Sequence, residues 1–186
     1  MEINYSKRKL ISSTKISTPL GEMFACGTES GIFLLEFTDR IRFQQQVSGL
    51  KKQLNAEIVE REYSLFDLLR LQLNEYFSGK RSSFDLPLQL VGTDFQKRVW
   101  QALLTIPYGE TRSYKQLSDM LGNRLAIRAV AAANGANRLA ILVSCHRVIG
   151  SDNQLTGYAG GLKRKRWLLE LEGCFPDGQI SLNFKP

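Results

Sequence analysis

The chain has 186 residues, 43% of them hydrophobic. That is enough for one ordinary domain, or for a small domain beside a medium one, and it excludes wholesale disorder. The net charge of +7 is unevenly spread: residues 1–90 hold 12 Lys and Arg against 11 Asp and Glu (+1), and residues 91–186 hold 13 against 7 (+6). A basic half points to a polyanionic partner. No run of about 18 apolar residues occurs, which excludes a membrane-spanning helix, and the basic group Lys7-Arg8-Lys9 is followed by no signal-like apolar region. The three cysteines, Cys26, Cys145 and Cys174, are odd in number and widely spaced, unlike a disulfide framework, and suit a reducing compartment. With His146 as the sole histidine, no structural metal is expected.

In chain order, Leu10–Ser17, Glu22–Thr28 and Ile32–Phe37 read as short strands of an antiparallel meander, separated by Thr18-Pro19-Leu20-Gly21 and Glu29-Ser30-Gly31. Residues 41–54 read as helix. A strongly apolar helix follows through Leu65, Phe66, Leu69, Leu73, Tyr76 and Phe77, with Ser64 as its expected N-cap and Gly79 as its stop. A linker then runs to about Gly92. Thr93 and Gln96, and again Ser113 and Gln116, have the spacing of a capping box, so each pair predicts a helix start. The second of these helices runs to Gly122. After the turn Gly122-Asn123-Arg124 comes the alanine-rich helix Ala126–Gly135, and together they fit a helix-turn-helix. Leu139–Val143 reads as a buried strand or extended segment leading to Cys145. Gly150–Gly161 reads as a loop. Leu162–Glu172 reads as a helix with Lys163–Arg166 as a solvated face. Cys26 is expected in the core of a strand and Cys174 as an exposed bystander.

The segment Ser144-Cys145-His146-Arg147-Val148-Ile149-Gly150 carries the chemistry. A cysteine attacks as thiolate, with a free pKa of about 8.5, so it needs a base or a positive environment. In a regular strand adjacent side chains face opposite ways. His146 therefore reaches the thiol directly only if the chain turns there, or through a bridging water. The imidazole needs an orienting carboxylate, for which Asp152, Glu170 and Glu172 are the downstream candidates.

This segment resembles the Pro-Cys-His-Arg-Val signature of the O6-alkylguanine-DNA alkyltransferases. The segments Phe95-Gln96-Lys97-Arg98-Val99-Trp100, Ile106–Thr111, Ser113-Tyr114, Arg128-Ala129-Val130, Asn137, Gly157-Tyr158 and Gly160–Gly173 are similar to the family in order and spacing. The resemblance implies an α+β protein. A small N-terminal domain with antiparallel sheet and helix (1–90) would precede a mostly helical C-terminal domain (91–186) that binds DNA and accepts the alkyl group. It implies double-stranded DNA bearing alkylated bases as partner, no cofactor, a monomer, and a cytoplasmic or nucleoid location.

The implied reaction is stoichiometric, irreversible transfer from O6-alkylguanine, and from O4-methylthymine, to Cys145 after base flipping from the minor groove. His146 would take the thiol proton through water, Glu172 would orient His146, and Tyr114 would assist flipping and donate a proton. Arg128 would fill the vacated stack and Asn137 would serve as hinge. Tyr158 and Ala159 would line the pocket. Thr93, Phe95, Lys115, Asn123 and Ser151 match positions that touch DNA. The chain departs from the family with Ser144 and Arg138 where prolines are usual, and with Ala159 where some members carry a hydroxyl. The competing reading is a non-catalytic sensor of alkylated DNA; such proteins lack the cysteine. A regulator of the adaptive response would need a cysteine-rich N-terminal half, and residues 1–90 contain only Cys26.

Overall fold

The computed structural model describes residues 8–175; the Lys7 end of the basic group and positions 176–186, assigned from the sequence to a C-terminal domain, lie outside the described residues. The three predicted strands form as β1 (Lys9–Thr18), β2 (Gly21–Thr28) and β3 (Gly31–Phe37), paired antiparallel in sequence. Helix α1 (Phe43–Leu54) then returns the chain to β4 (Ala56–Glu60), which pairs parallel with β1. The sheet order is β3-β2-β1-β4. The last strand was not predicted, because Ala56–Glu60 is short and carries two glutamates.

Alternation along β2 divides the sheet's two faces. Phe24 and Cys26 pack with Leu50 of α1 and Ala56 of β4. Met23 and Ala25 join the larger core with Phe66, Leu69, Leu73 and Tyr76 of α2 (Ser64–Phe77). Ser64 is the first residue of α2 rather than its cap; Tyr63 holds the cap position and makes no side-chain capping bond. Gly79 follows α2 with φ +72°, the left-handed conformation expected of a stop.

The C-terminal half adds α3 (Asp94–Leu104), the two-residue β5 (Arg112–Ser113), α4 (Tyr114–Met120), α5 (Ile127–Gly135), β6 (Val148–Ile149) and α6 (Leu162–Leu171). Both predicted capping boxes are complete, at Thr93/Gln96 and Ser113/Gln116. Helices α4 and α5 flank the Gly122 turn as a helix-turn-helix, and α3 is tied to α5 by Trp100 Nε1 donating to the Ala133 carbonyl (2.8 Å). The two halves share one core, in which Phe37, Phe66 and Tyr76 pack with Trp100, Val130, Leu142 and Leu168.

Leu139–Val143 departs from the expectation of a buried strand or extended segment. All five residues are buried, but the backbone turns repeatedly, with Ile141 at φ +72°. Only its start behaves as a strand: Leu35 N donates to the Arg138 carbonyl and Ala140 N to the Leu35 carbonyl, each at 2.8 Å. The linker does the same one step away, through Ile32 N to Pro87 O and Gln89 N to Ile32 O, both 2.8 Å. The outer edge of β3, which would otherwise expose unpaired backbone groups, is thus covered by the linker and by the segment that leads to Cys145.

Candidate active site and nucleic-acid surface

Cys145, His146 and Arg147 form one turn of 3-10 helix, so the chain does turn at the dipeptide. Cys145 is only 5% exposed and His146 fully buried. Of the three candidate carboxylates, Glu172 at the end of α6 meets the histidine: His146 Nε2 donates to Glu172 Oε1 at 2.8 Å. Glu170 pairs instead with Arg166, and Asp152 accepts from Gln154 N in its own loop. Glu172 also accepts from Arg147 Nε (2.8 Å), Arg147 Nη2 (3.1 Å) and the Tyr76 hydroxyl (2.6 Å). An ionised carboxylate offers about four acceptor positions, so its capacity is filled. Burial alone would raise the Glu172 carboxyl; the hydrogen bonds from His146 and Arg147, with the Arg147 charge, outweigh it and hold the carboxyl down to about 2. Burial keeps His146 below its usual value, and hence neutral, despite Glu172. With Nε2 donating, Nδ1 carries the free lone pair, and it has no hydrogen-bond partner among the described residues.

Burial pushes the Cys145 thiol up to about 11, while the Asn137 amide donating to Sγ at 3.1 Å works in the opposite direction. The same Asn137 side chain donates to the Val143 carbonyl (3.0 Å) and accepts from Leu139 N (3.0 Å). It therefore stitches the irregular segment into the shape that presents the thiol. Ser144 adopts φ −73°, inside the range a proline ring imposes. Its hydroxyl donates to the Leu103 carbonyl at the end of α3 (2.6 Å). The turn usually fixed by proline is held here by a hydrogen bond.

Tyr114, the first residue of α4, reaches the loop 150–161, its hydroxyl donating to the Gly157 carbonyl at 3.2 Å. A Cβ at residue 157 would lie 2.9 Å from that hydroxyl, and φ there is +56°, so only glycine permits the approach. Burial raises Tyr114 to about 12. Burial also holds the Tyr158 phenol protonated, well above its usual value, with an Oη that has no partner among the described residues. Ala159 is half-buried beside it.

Arg128, Lys115, Asn123, Thr93 and Ser151 are exposed, while Phe95 is half-buried against the core. Thr93 Oγ1 is engaged in its capping box and Asn123 Oδ1 accepts from Leu125 N. None of these six is joined to the cysteine cluster by a hydrogen bond among the described residues. On α5, Arg128, Ala129, Ala132 and Gly135 are exposed while Val130, Ala133 and Asn134 are buried, so its outer face is small-residued apart from Ile127 and the one arginine.

Several site residues escaped sequence reasoning. Tyr76 and Arg147 complete the Glu172 network; a buried tyrosine hydroxyl needs a partner, but nothing in the sequence names it. Lys165 was expected on a solvated face. It is instead fully buried, its Nζ donating to the carbonyls of Val148, Thr156 (2.6 Å) and Gly157 (3.4 Å), which anchors the loop beside Tyr114. Arg164 likewise turns inward, lying over the Phe37 ring and donating to the Leu20 carbonyl. Cys174 is half-buried against Ile149, Leu155 and Leu169 rather than exposed, whereas Cys26 is a core strand residue as expected.

The fold and site therefore define an α+β protein with a helix-turn-helix and a buried cysteine followed by a histidine that bonds Glu172. The family model described as 6-O-methylguanine DNA methyltransferase, DNA binding domain, matches residues 94–174, and that described as the ribonuclease-like domain of the same enzyme matches residues 11–90. The chain is 47% identical over 158 residues to a methylated-DNA–protein-cysteine methyltransferase of Methanosarcina barkeri, covering 84% of this chain and 94% of the relative. It is 63% identical over 111 residues to the Mycobacterium tuberculosis protein of that name, covering 60% and 67%. Among solved structures, that of Mycobacterium tuberculosis OGT in complex with DNA is similar, with a TM-score of 0.74 and 44% identity over 87% of this chain and 92% of that one. The chain belongs to the 6-O-methylguanine DNA methyltransferase family.

Proposed function

We propose that the protein repairs DNA by moving the alkyl group of O6-alkylguanine, and of O4-methylthymine, onto Cys145, once per molecule. The observation that carries this reading is a set of buried groups at the Cys145-His146 dipeptide: Asn137 on Sγ, a neutral His146 with Nδ1 free, and an ionised Glu172 on Nε2. The proton of Sγ passes through a water to Nδ1 of His146, and Glu172 stabilises the imidazolium so formed. The thiolate attacks the alkyl carbon, the carbon–O6 bond breaks, and its electron pair stays with guanine. Tyr114, protonated at neutral pH, donates toward the purine so that guanine leaves neutral. The product is a neutral thioether without a good leaving group, so the protein is spent after one event.

A thiol only 5% exposed is out of reach of a base stacked in a duplex. The damaged nucleotide is therefore flipped out, its cost repaid by contacts along the small-residue face of α5 and by Arg128 in the vacated stack. Tyr158 and Ala159 line the pocket, and Thr93, Phe95, Lys115, Asn123 and Ser151 lie along the DNA backbone. In this division residues 1–90 are the structural domain and 91–186 bind DNA and accept the alkyl group. The protein acts as a monomer in the cytoplasm, on the nucleoid. No helix among the described residues is long and apolar enough to cross a membrane.

Intact mass after incubation with duplex DNA carrying O6-methylguanine tests the reading. A gain of one methyl, mapped to Cys145 and saturating at one per protein, is expected. Binding of lesion DNA without any mass gain would instead establish the sensor. Arg128→Ala is expected to slow repair of duplex DNA far more than reaction with free O6-benzylguanine; equal losses would remove Arg128 from the flipping step.

A further inference from the structure

The segment that carries Asn137 to the cysteine is held from several sides by the N-terminal domain. Arg40 donates to the carbonyls of Gly135 (2.7 Å) and Asn137 (3.1 Å), and β3 pairs with residues 138 and 140. Arg138 adds a contact of a different kind. Its Nε donates to Gln46 Oε1 (2.9 Å), and its Nη1 to Gln53 Oε1 (2.6 Å) and the Val91 carbonyl (3.1 Å). Gln46 and Gln53 lie on one face of α1, two turns apart, and Val91 belongs to the linker. All three acceptors are neutral, so the directions of the guanidinium N–H groups hold the residue in place rather than a counter-charge. Between the glutamines stands Gly49, an unfavourable residue for a helix interior. A Cβ there would lie 3.3 Å from Arg138 Nη2, so the missing side chain makes room for the guanidinium.

We propose that Arg138 is a positioning residue for alkyl transfer: by clamping the backbone after Asn137 to α1 and to Val91, it keeps the Asn137 amide on Cys145 Sγ. The inference rests on the reading of Cys145 as the acceptor. Releasing the clamp lets the segment shift, and the developing thiolate loses its N–H donor. Deprotonation then becomes harder without any change in the cysteine, the histidine or the glutamate.

The test uses the full chain with Arg138→Lys, which keeps the charge but not the fork, and with Gly49→Leu, which improves α1 as a helix while crowding the guanidinium. Two quantities are measured: the pH midpoint of Cys145 alkylation by iodoacetamide, followed by peptide mass without DNA, and the transfer rate constant at saturating O6-methylguanine duplex. Both variants are expected to move the midpoint upward and to slow transfer about tenfold, a plausible cost for slight misplacement of a reacting group. Unchanged midpoints, with rates that merely follow thermal stability, would overturn the proposal. If the unmodified protein accepts no methyl group, the acceptor reading fails, and the alkylation midpoint still decides whether Arg138 positions the thiol's donor.

Discussion

Glu172→Gln is expected to destabilise the protein by about 3–5 kcal/mol, the range for breaking a buried ion pair by removing one partner. Arg147, 8% exposed, loses its counter-charge, and the new amide N–H₂ faces either an Arg147 donor or the donors of His146 and Tyr76. Thermal unfolding at pH 7 measures the loss. The pH dependence has a definite sign. The Glu172 carboxyl is held down to about 2 in the folded chain, below the ordinary carboxylate range of the unfolded one. Its contribution is therefore fully present above the unfolded value and is lost as pH falls toward 2. By linkage it amounts to about 3 kcal/mol. Glu36 acts oppositely, burial raising its carboxyl to about 7 despite Arg40. The Glu172 effect is therefore read from the difference between the two proteins, which narrows as the solution is acidified. A gap that stays constant down to pH 2 would mean that Glu172 is not the charged hub of the site.

Cys145→Ser is expected to abolish alkyl transfer while leaving affinity for O6-methylguanine duplex intact. The substitution fits the space and can keep the Asn137 amide as donor. An alcohol is far less acidic than a thiol, however, and its neutral hydroxyl is a much weaker nucleophile. Gel-shift titration against lesion and undamaged duplexes, beside intact mass, gives both answers at once. Persistence of a methylated product would place the acceptor at Cys26 or Cys174. Both are poor nucleophiles here: burial raises each to about 12, and neither is adjacent to a histidine.

Much of the frame is legible in the sequence. The capping boxes at Thr93 and Ser113 are local devices in which a side chain bonds a backbone N–H three residues away, so spacing alone places the helix starts. The meander β1–β3 followed from turn residues, and the helix-turn-helix from Gly122 between two helical patterns. Segments decided by distant partners were misread. Leu139–Val143 has a strand's composition, but Asn137 and the edge of β3 bend it into turns. Lys163–Arg166 looks like a solvated basic face, yet the ammonium of Lys165 finds three inward carbonyls and the guanidinium of Arg164 an aromatic ring.

The sequence by itself determined where the candidate chemistry lies: a cysteine beside the only histidine, in a signature that resembles one family, with helix starts and turns set by neighbours a few residues away. Only the tertiary structure decided which carboxylate serves His146, that Tyr76 of the N-terminal domain completes its shell, and that Ser144 holds the proline-like turn by bonding Leu103. It alone joined Arg138 to α1. The reason is reach. Caps and turns are satisfied within a few residues, whereas a buried charge or hydroxyl must find its partner wherever packing brings one, here 26 residues from His146 to Glu172 and 96 from Tyr76 to Glu172.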